Sequence, residues 1–173
     1  ALLIKDNLSW PSVYVHRDFM PRNLMVPLEG LPATLDATTL GVLDFQDAVY
    51  GPITYDIASL MRDAFLSWEE DFCLDVTIRY WQKARKAGLP VGEDFGEFYR
   101  AVEWMGLQRH LKIAGIFARL TLRDGKPKYL ADTPRFIHYI RSTCNRYIQL
   151  KPLLRLVDQV EGIAASDVFV IGR

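Results

Sequence analysis

The sequence predicts an α+β protein in which a small β-sheet near the N-terminus is followed by a helix-rich remainder. Three short apolar runs bounded by polar or turn-forming residues are typical of buried strands: Val13-Tyr14-Val15, Leu24-Met25-Val26 and Leu40 to Leu43. Beyond Gly51-Pro52, which predicts the turn that ends the sheet, apolar residues recur at three- and four-residue steps. We therefore expect the strands to support a polar loop, His16 to Asn23, on a helical body.

The remaining elements follow from helix and loop signals. Residues 1–9 predict the end of a helix that stops at Trp10-Pro11, because a residue before proline is pushed out of the α region. Residues 27–39 predict an irregular loop or hairpin, and residues 161–173 are expected to fray. Five further helices are expected: one opened by Asp56, one over 72–87, one from 95 to about 123, one beginning near Pro134 and one beginning at Lys151-Pro152.

The overall composition predicts one domain with a hydrophobic core. The chain has 173 residues, half of them hydrophobic, and 21 basic residues balance 21 acidic ones. This balance gives no global attraction to nucleic acid or to an anionic membrane. No apolar run approaches the roughly 20 residues of a membrane span, and the two cysteines fit no metal or redox spacing. We therefore expect a cytoplasmic protein with reduced thiols and neither nucleic-acid nor membrane partners.

Charge is unevenly distributed along the chain. Residues 29–97 contain thirteen acidic and five basic side chains, whereas residues 98–155 contain twelve basic and three acidic ones. Lys112, Arg119 and Arg123 are spaced so that they share one helix face. The basic excess suits an anionic acceptor, but solvated charges on outer helix surfaces explain it equally well.

The polar loop and the third strand contain a spacing typical of kinase-type phosphoryl transfer. The loop has the pattern HxDxxxxN, formed by His16, Asp18 and Asn23, and the third strand ends in Asp44-Phe45. Phosphoryl transfer requires a positioned hydroxyl, a neutralised phosphate and reacting oxygens held in line. Strand ends can hold an acid and two cation ligands to such a geometry.

The segments HRDFMPRN and LDFQDAVYGPITYDIASL resemble the aminoglycoside phosphotransferase branch of the protein-kinase-like superfamily. Within it the chain is most similar to the anomeric sugar kinases that phosphorylate N-acetylmuramate and N-acetylglucosamine. The resemblance implies that residues 1–173 form only the helix-rich C-terminal lobe of such a fold, with the N-terminal ATP-binding lobe absent. Residues 1–51 would carry the catalytic loop and metal-binding strands, and residues 52–173 a helical acceptor-binding subdomain. We expect this lobe alone to be inactive, because no glycine-rich phosphate loop can be placed.

The resemblance also implies a role for each polar residue of the motif. Asp18 would orient the acceptor hydroxyl and take up its proton, while Asn23 and Asp44 would hold Mg²⁺ beside the phosphates of ATP. His16 would support the loop by hydrogen-bonding to backbone near Asp44. Taken alone, Asp18 and Asn23 would be ordinary turn residues and Asp44 a strand terminator.

Neighbouring positions admit several interpretations. Arg17 pairs with an acidic group or a phosphate, or is solvated, and many small-molecule kinases of the resembled branch have glycine there. Asp47 is a second metal ligand, an acceptor for a substrate hydroxyl or a structural turn residue. Gln46 stands where protein kinases have glycine, which argues against activation-loop switching of the protein-kinase type. Asp56 resembles the family's structural aspartate, and we expect it to cap the following helix, which is worth about 1 kcal/mol.

Other conspicuous side chains are expected to be structural. Sugar stacking is the alternative for the tryptophans, but a tryptophan in an amphipathic helix belongs more often to the core. The side chains interpreted as core or surface residues are His110, His138, Trp68, Trp81, Trp104, Cys73 and Cys144.

Together these features predict ATP- and Mg²⁺-dependent phosphorylation of a small-molecule hydroxyl. By resemblance, the acceptor is the anomeric hydroxyl of an N-acetylated amino sugar in cell-wall recycling. The alternatives are a kinase for an aminoglycoside, a choline-like amine or a protein serine or threonine, and a non-catalytic binding module. A pocket for polycationic aminoglycosides would be lined with carboxylates, which the basic residues of 98–155 do not favour. The sequence leaves the oligomeric state open.

Overall fold

The computed structural model of the chain describes four stretches of residues: 1–26, 40–63, 65–125 and 133–163. The structure divides into two compact units, Ala1–Arg109 and His110–Arg173. The first unit contains every strand of the described residues, and the second is helical where it is described. The predicted α+β class, rich in helix with a small amount of sheet, is confirmed. The predicted loop over 27–39 and most of the predicted frayed tail lie outside the described residues.

The helices of the described residues are α1 Leu2–Ser9, α2 Tyr55–Met61, α3 Glu70–Lys86, α4 Phe95–Leu122, α5 Thr133–Arg146 and α6 Lys151–Val160. Single 3-10 turns lie at Pro21–Asn23 and Ile148–Leu150. The predicted starts of α2 to α6 and the predicted ends of α1, α3 and α4 agree with the observed ones to within two residues, because strong local signals define them. Trp10 is extended before Pro11 and stops α1, and Gly88 adopts a φ of 74° just after α3.

The strands form two separate antiparallel pairs. β1 Ser12–Val15 pairs with β4 Val49–Pro52, and β2 Leu24–Met25 pairs with β3 Gly41–Val42. The short polar loop between β1 and β2 therefore connects one strand pair to the other. This arrangement places the end of β1 and the start of β2 next to the residues that follow β3.

The prediction that Gly51-Pro52 forms a turn after the sheet is wrong, since both residues lie in β4. Gly51 is opposite Val13, and a Cβ at this glycine would lie 3.0 Å from Cγ2 of Val15. The glycine thus permits close packing of β4 against β1. Pro52 is tolerated because it is the last residue of the strand, where a missing N–H interrupts little of the ladder.

The apolar runs are half-buried rather than fully buried. In β1, Val15 is buried but Tyr14 is 79% exposed, and in β2 Met25 is 51% exposed. Successive side chains of a strand point to opposite faces. Only one face of each strand pair is packed against other residues, so side chains on the other face stay exposed. The expectation of buried strands is therefore wrong for the outer face of each pair.

The hydrophobic core of the first unit is built mainly by α2, α3 and α4. Trp68 and Trp81 pack against this core, and each indole N–H donates to a backbone carbonyl. Trp104 is buried as well, which confirms the structural interpretation of the three tryptophans. The buried core residues are Ile53, Ile57, Ala58, Met61, Cys73, Ala84, Val91, Phe98, Val102 and Met105.

A charged group is buried beside this core. Nη2 of Arg62 lies 2.7 Å from Oε1 of Glu70 and 3.6 Å from Oε1 of Glu103, which is only 2% exposed. Burial opposes the charge of Arg62, but the hydrogen bond and charge of Glu70 outweigh it and raise the pKa of the guanidinium. Burial, together with its hydrogen bond to Glu70, also raises the pKa of the Tyr99 hydroxyl. The group joins the end of α2 to α3 and α4.

In the second unit, α5 and α6 are joined by an ion pair in which Nε of Arg141 lies 2.6 Å from Oδ1 of Asp158. His110 is buried and stacks on Tyr139 with ring centroids 4.9 Å apart. Cys144 is also buried, and this burial raises the pKa of its thiol to about 11. These positions confirm that His110 and Cys144 are structural. The predicted basic face is exposed at each of its members, Lys112, Arg119 and Arg123.

No helix of the described residues combines the length and the apolar character that a membrane crossing needs.

Candidate active site

The residues of the predicted motif lie on the loop after β1 and on the strand pair beside it. The loop ends in the 3-10 turn Pro21–Asn23, and β2 follows directly. Leu24 of β2 is opposite Val42 of β3, and the chain continues from β3 to Asp44. Asn23 and Asp44 are therefore neighbours although 21 residues separate them in the sequence.

Asn23 contacts two of the other motif residues, Asp18 and Asp44. Its Nδ2 donates to the backbone carbonyl of Asp18 at 2.8 Å and to Oδ2 of Asp44 at 3.5 Å. Because both contacts use the amide nitrogen, Oδ1 of Asn23 is the atom with which this side chain can bind a cation. The structure thus brings Asp18, Asn23 and Asp44 together, and their chemical roles stay predictions.

Asp44 has an unusual backbone conformation and a side-chain partner. Its φ is 68°, in the left-handed region that non-glycine residues seldom adopt. Nε2 of Gln46 donates to Oδ1 of Asp44 at 2.7 Å. The residue that replaces the glycine of protein kinases therefore orients the carboxylate, a role that the sequence analysis missed. The two-residue spacing is the one local signal that could have indicated it.

Asp56 does not cap α2, so this prediction is wrong. The N-cap residue is Thr54, and Asp56 lies in the first turn of the helix. Its Oδ2 accepts the backbone N–H of His16 at 2.7 Å, and its Oδ1 accepts that of Arg17 at 3.0 Å. The carboxylate accepts hydrogen bonds from the polar loop 40 residues earlier in the chain, a contact that local sequence cannot reveal. This geometry supports the expected structural role of Asp56 by a different contact.

Arg17 adopts a left-handed φ of 75°. Such a conformation costs a residue other than glycine about 1–3 kcal/mol, which gives a physical reason for the glycine found there in the resembled family. The side chain of Arg17 donates from Nη1 to the backbone carbonyl of Asp47 at 3.2 Å. Arg17 therefore joins the loop to the segment after β3. The side chain of Asp47 keeps its open interpretations.

The predicted hydrogen bond from the His16 ring to backbone near Asp44 is not observed. Within the described residues both ring nitrogens of His16 are buried without a hydrogen-bond partner. The ring packs edge-on against Phe19, with centroids 6.0 Å apart. His16 instead contributes its backbone N–H to Asp56. Its role as a support of the loop stays a prediction.

Two further side chains contact the loop and were missed by the sequence analysis. Oγ of Ser59 donates to the backbone carbonyl of Arg17 at 3.3 Å, and Nη1 of Arg109 donates to the same oxygen at 3.2 Å. Ser59 is buried in α2, one helical turn after Asp56. Arg109 lies in α4, 92 residues from its partner. Pairing over such distances leaves no local pattern in one sequence.

A cavity of about 430 Å³ lies beside the loop and is lined by Phe19, Asp56 and residues of α2 and α3. Tyr80 lines it as well, and burial together with the nearby charge of Asp56 raises the pKa of the tyrosine hydroxyl. Partial burial strengthens the hydrogen bonds that Asp56 accepts, because the local dielectric is lower than in water.

The donor set next to β3 is suited to Mg²⁺. In the described residues no cluster of three or more His, Cys, Asp and Glu is placed to hold a metal ion. Asp44 and Asn23 offer one carboxylate and one amide oxygen. Mg²⁺ fits such a small set because it keeps several waters and is bound by one or two carboxylates together with phosphate oxygens. A closed four-ligand site of the zinc type does not fit.

Comparison with known proteins identifies the family. Residues 2–95, more than half of the chain, match the phosphotransferase enzyme family (APH). The chain belongs to this family. The matched part contains the loop, both strand pairs, α2 and α3, which are the elements that build the candidate site. The helix-rich α+β structure is consistent with the C-terminal lobe of its kinase-like fold.

Three relatives cover nearly all of the chain, and each is named N-acetylmuramate/N-acetylglucosamine kinase. The protein of Neisseria meningitidis is 59% identical over 92% of the chain. The proteins of Pseudomonas putida and Pseudomonas aeruginosa are 50% and 49% identical over 95% and 90% of the chain. The matches cover 45%, 46% and 44% of the relatives' own lengths, so the chain spans less than half of each of them.

Proposed function

We propose that the chain carries the catalytic loop of an ATP-dependent kinase that phosphorylates the anomeric hydroxyl of an N-acetylated amino sugar. N-acetylmuramate and N-acetylglucosamine are the proposed acceptors, because relatives that are 49–59% identical bear these sugars in their names. The structural observation that carries the proposal is the contact of Asn23 with both Asp18 and Asp44. It joins the backbone carbonyl of Asp18, the proposed base, to the carboxylate of Asp44, a proposed metal ligand.

In the proposed reaction the sugar oxygen attacks the γ-phosphorus of ATP directly. The bond between this phosphorus and the bridging oxygen of ADP breaks, and ADP leaves with that electron pair. Asp18 orients the attacking hydroxyl and takes up its proton. The protein forms no covalent bond to the phosphoryl group, so the rate enhancement comes from positioning and charge.

Asn23 and Asp44 are the proposed ligands of Mg²⁺. When bound, the ion neutralises charge on the phosphate oxygens during transfer. Gln46 orients the Asp44 carboxylate through its 2.7 Å hydrogen bond. The donation from Asn23 to the carbonyl of Asp18 keeps the loop folded back toward this ligand pair.

The neighbouring residues are proposed to support this geometry. Asp56 holds the backbone of His16 and Arg17 through both carboxylate oxygens. Arg17 ties the loop to the backbone of Asp47. For the Asp47 carboxylate the proposal keeps all three interpretations: a second metal ligand, an acceptor for a substrate hydroxyl or a structural turn residue. Residues 1–51 are thus the proposed catalytic part, and residues 52–173 the proposed acceptor-binding part.

A role in cell-wall recycling is the proposed context, because both acceptors are N-acetylated amino sugars. We place the reaction in the cytoplasm, where ATP is the available phosphoryl donor. The twelve basic residues of 98–155 support an anionic acceptor such as a sugar acid over a polycationic antibiotic.

The test is phosphorylation of a panel of acceptors by the protein expressed from its complete reading frame, with MgATP and mass-spectrometric detection. The panel contains N-acetylmuramate, N-acetylglucosamine and an aminoglycoside. The proposal predicts that the two N-acetyl sugars each gain one phosphoryl group while the aminoglycoside gains none. Turnover of the aminoglycoside alone would discard the proposed acceptor and keep the phosphotransferase. Absence of transfer to every acceptor would contradict the proposed function.

A further inference from the structure

The peptide groups that lead to Asp18 are held one after another by side chains of other elements. The N–H groups of His16 and Arg17 both donate to the Asp56 carboxylate. These two contacts fix the peptide groups before and after His16. The next peptide group joins Arg17 to Asp18, and its orientation sets the direction of the Asp18 side chain.

The carbonyl oxygen of this Arg17–Asp18 peptide has two side-chain donors. Oγ of Ser59 lies 3.3 Å from it, and Nη1 of Arg109 lies 3.2 Å from it. The donors come from different helices, α2 and α4. Two donors arriving from separate elements fix the plane of a peptide more firmly than either could alone.

Both donors are themselves held in place. Ser59 is 1% exposed, so water does not readily replace its hydroxyl. The guanidinium of Arg109 stacks on the Tyr55 ring, 4.8 Å from its centroid. Tyr55 is the first residue of α2 and adjoins Asp56. One short helix therefore provides two of the loop's partners and the aromatic surface that orients the third.

The backbone held in this way is strained. The φ of Arg17 is 75°, a conformation that persists in a non-glycine residue only when surrounding contacts enforce it. Without these contacts the Arg17–Asp18 peptide would turn toward a more common conformation and carry the Asp18 carboxylate with it. A shift of about 1 Å in a reacting group can lower a rate about 100-fold.

We propose that Ser59 and Arg109 are positioning residues for phosphoryl transfer, which hold the Arg17–Asp18 peptide so that the Asp18 carboxylate meets the acceptor hydroxyl. This inference rests on the proposed function for the identity of the reaction. The contact with the loop is independent of which acceptor is used. Both residues contact the backbone carbonyl of Arg17, so their proposed action is through Asp18.

The kinetic test compares Arg109→Leu and Ser59→Ala with the parent protein, expressed from its complete reading frame. We expect kcat to fall about 10- to 100-fold in Arg109→Leu and less in Ser59→Ala. KM for MgATP and for the sugar should change by less than about threefold, because substrate binding is not removed. Because an unfolded fraction would also lower the apparent kcat without changing KM, each kcat is referred to the folded fraction of the variant, measured by circular dichroism. Unchanged kcat in both variants would overturn the proposal.

Arg100→Leu is the matched control. Arg100 lies on the same helix, α4, stacks over Trp104 with its guanidinium 5.0 Å from the ring centroid, and pairs with Asp6 at 3.3 Å. It resembles Arg109 in chemistry but contacts other partners. We expect kcat to be unchanged in Arg100→Leu. An equal fall of kcat in the two leucine variants would overturn the proposal, since it would reflect a property of the helix.

Amide hydrogen exchange tests the contact without any substrate. A peptide covering residues 14–20 should exchange about tenfold faster in Arg109→Leu than in the parent, and at the parent rate in Arg100→Leu. Ser59→Ala serves as the second variant if Arg109→Leu does not fold. Unchanged exchange in this peptide would overturn the inference. Failure of the parent to phosphorylate any sugar would instead overturn the proposed function, and the exchange result would still decide whether the two residues hold the loop.

Discussion

Two residues of the candidate site, Arg17 and Asp44, have left-handed backbone conformations without being glycine. Strained backbone of this kind is concentrated at functional sites, where surrounding contacts enforce it. Asp44 has Gln46 as its side-chain partner, and the two polar backbone groups of Arg17 are bound by Asp56, Ser59 and Arg109. Hydrogen bonds with nearby side chains thus stabilise each of the two strained residues.

At the residue scale, Asp56→Asn should destabilise the fold. An asparagine can accept only one of the two N–H groups that the carboxylate accepts, and it carries no charge to strengthen the bond. We expect the free energy of unfolding to fall by about 1.5–3 kcal/mol. Denaturant unfolding followed by circular dichroism would measure this change.

Asp75→Asn is the control for that prediction. Asp75 lies on α3 and pairs with Arg79 at 3.0 Å, but both side chains are largely exposed. Exposed pairs of this kind contribute less than about 0.5 kcal/mol. Equal stability losses in the two asparagine variants would contradict the prediction, because the hydrogen bonds that Asp56 accepts would then contribute no more to stability than an exposed ion pair does.

At the element scale, α4 packs closely on the end of α2 at Gly106. A Cβ at this position would lie 3.0 Å from Cγ and 3.3 Å from Cβ of Arg62. Arg62 has little freedom to move away, because Glu70 and Glu103 hold its guanidinium. Gly106→Ala should therefore lower the free energy of unfolding by about 1–3 kcal/mol, as other small-to-large changes in packed cores do.

Gly115 provides the matched control on the same helix. Among the described residues, no atom lies within 4 Å of a Cβ placed at Gly115. Gly115→Ala should raise the free energy of unfolding by about 0.5–1 kcal/mol, because alanine favours the helix. Thermal or denaturant unfolding of both variants would measure these changes in the free energy of unfolding. A gain in stability for both would mean that α4 does not pack closely on Arg62.

The elements themselves were predictable to different degrees. The ends of α1 and α3 follow from Trp10-Pro11 and Gly88, which act within a few residues. The strand β4 was missed because Gly51-Pro52 is a turn signal by composition, whereas pairing with β1 decides its conformation. Exposure of Tyr14 was likewise not predictable, since it depends on how many strands cover each face.

At the scale of the whole molecule, the contrast between local signals and tertiary contacts explains which parts of the site could be predicted. The HxDxxxxN spacing indicated Asp18 and Asn23, and the end of the third strand indicated Asp44, since loop and strand ends are local features. The partners of the loop from α2 and α4 arise from tertiary packing across 39 to 92 residues. One sequence contains no periodic signal for such contacts. Asp56 was recognised by resemblance, but its actual contact was not.

The basic excess in the second half of the chain has several structural uses. Arg100 pairs with Asp6, Arg141 pairs with Asp158, and Arg109 donates to the backbone carbonyl of Arg17. Part of the positive charge is therefore committed to packing. A role for other basic residues in acceptor choice stays a prediction that the acceptor panel addresses.

The central claim is that Asp18 takes up the proton of the acceptor hydroxyl during phosphoryl transfer. The most direct measurement is steady-state phosphorylation of N-acetylmuramate by the complete protein and its Asp18→Asn variant, with MgATP. We expect kcat to fall about 10²- to 10⁴-fold, because general base catalysis is lost in the transition state. KM for both substrates should stay within about threefold of the parent value. Near-normal turnover in Asp18→Asn would contradict the claim.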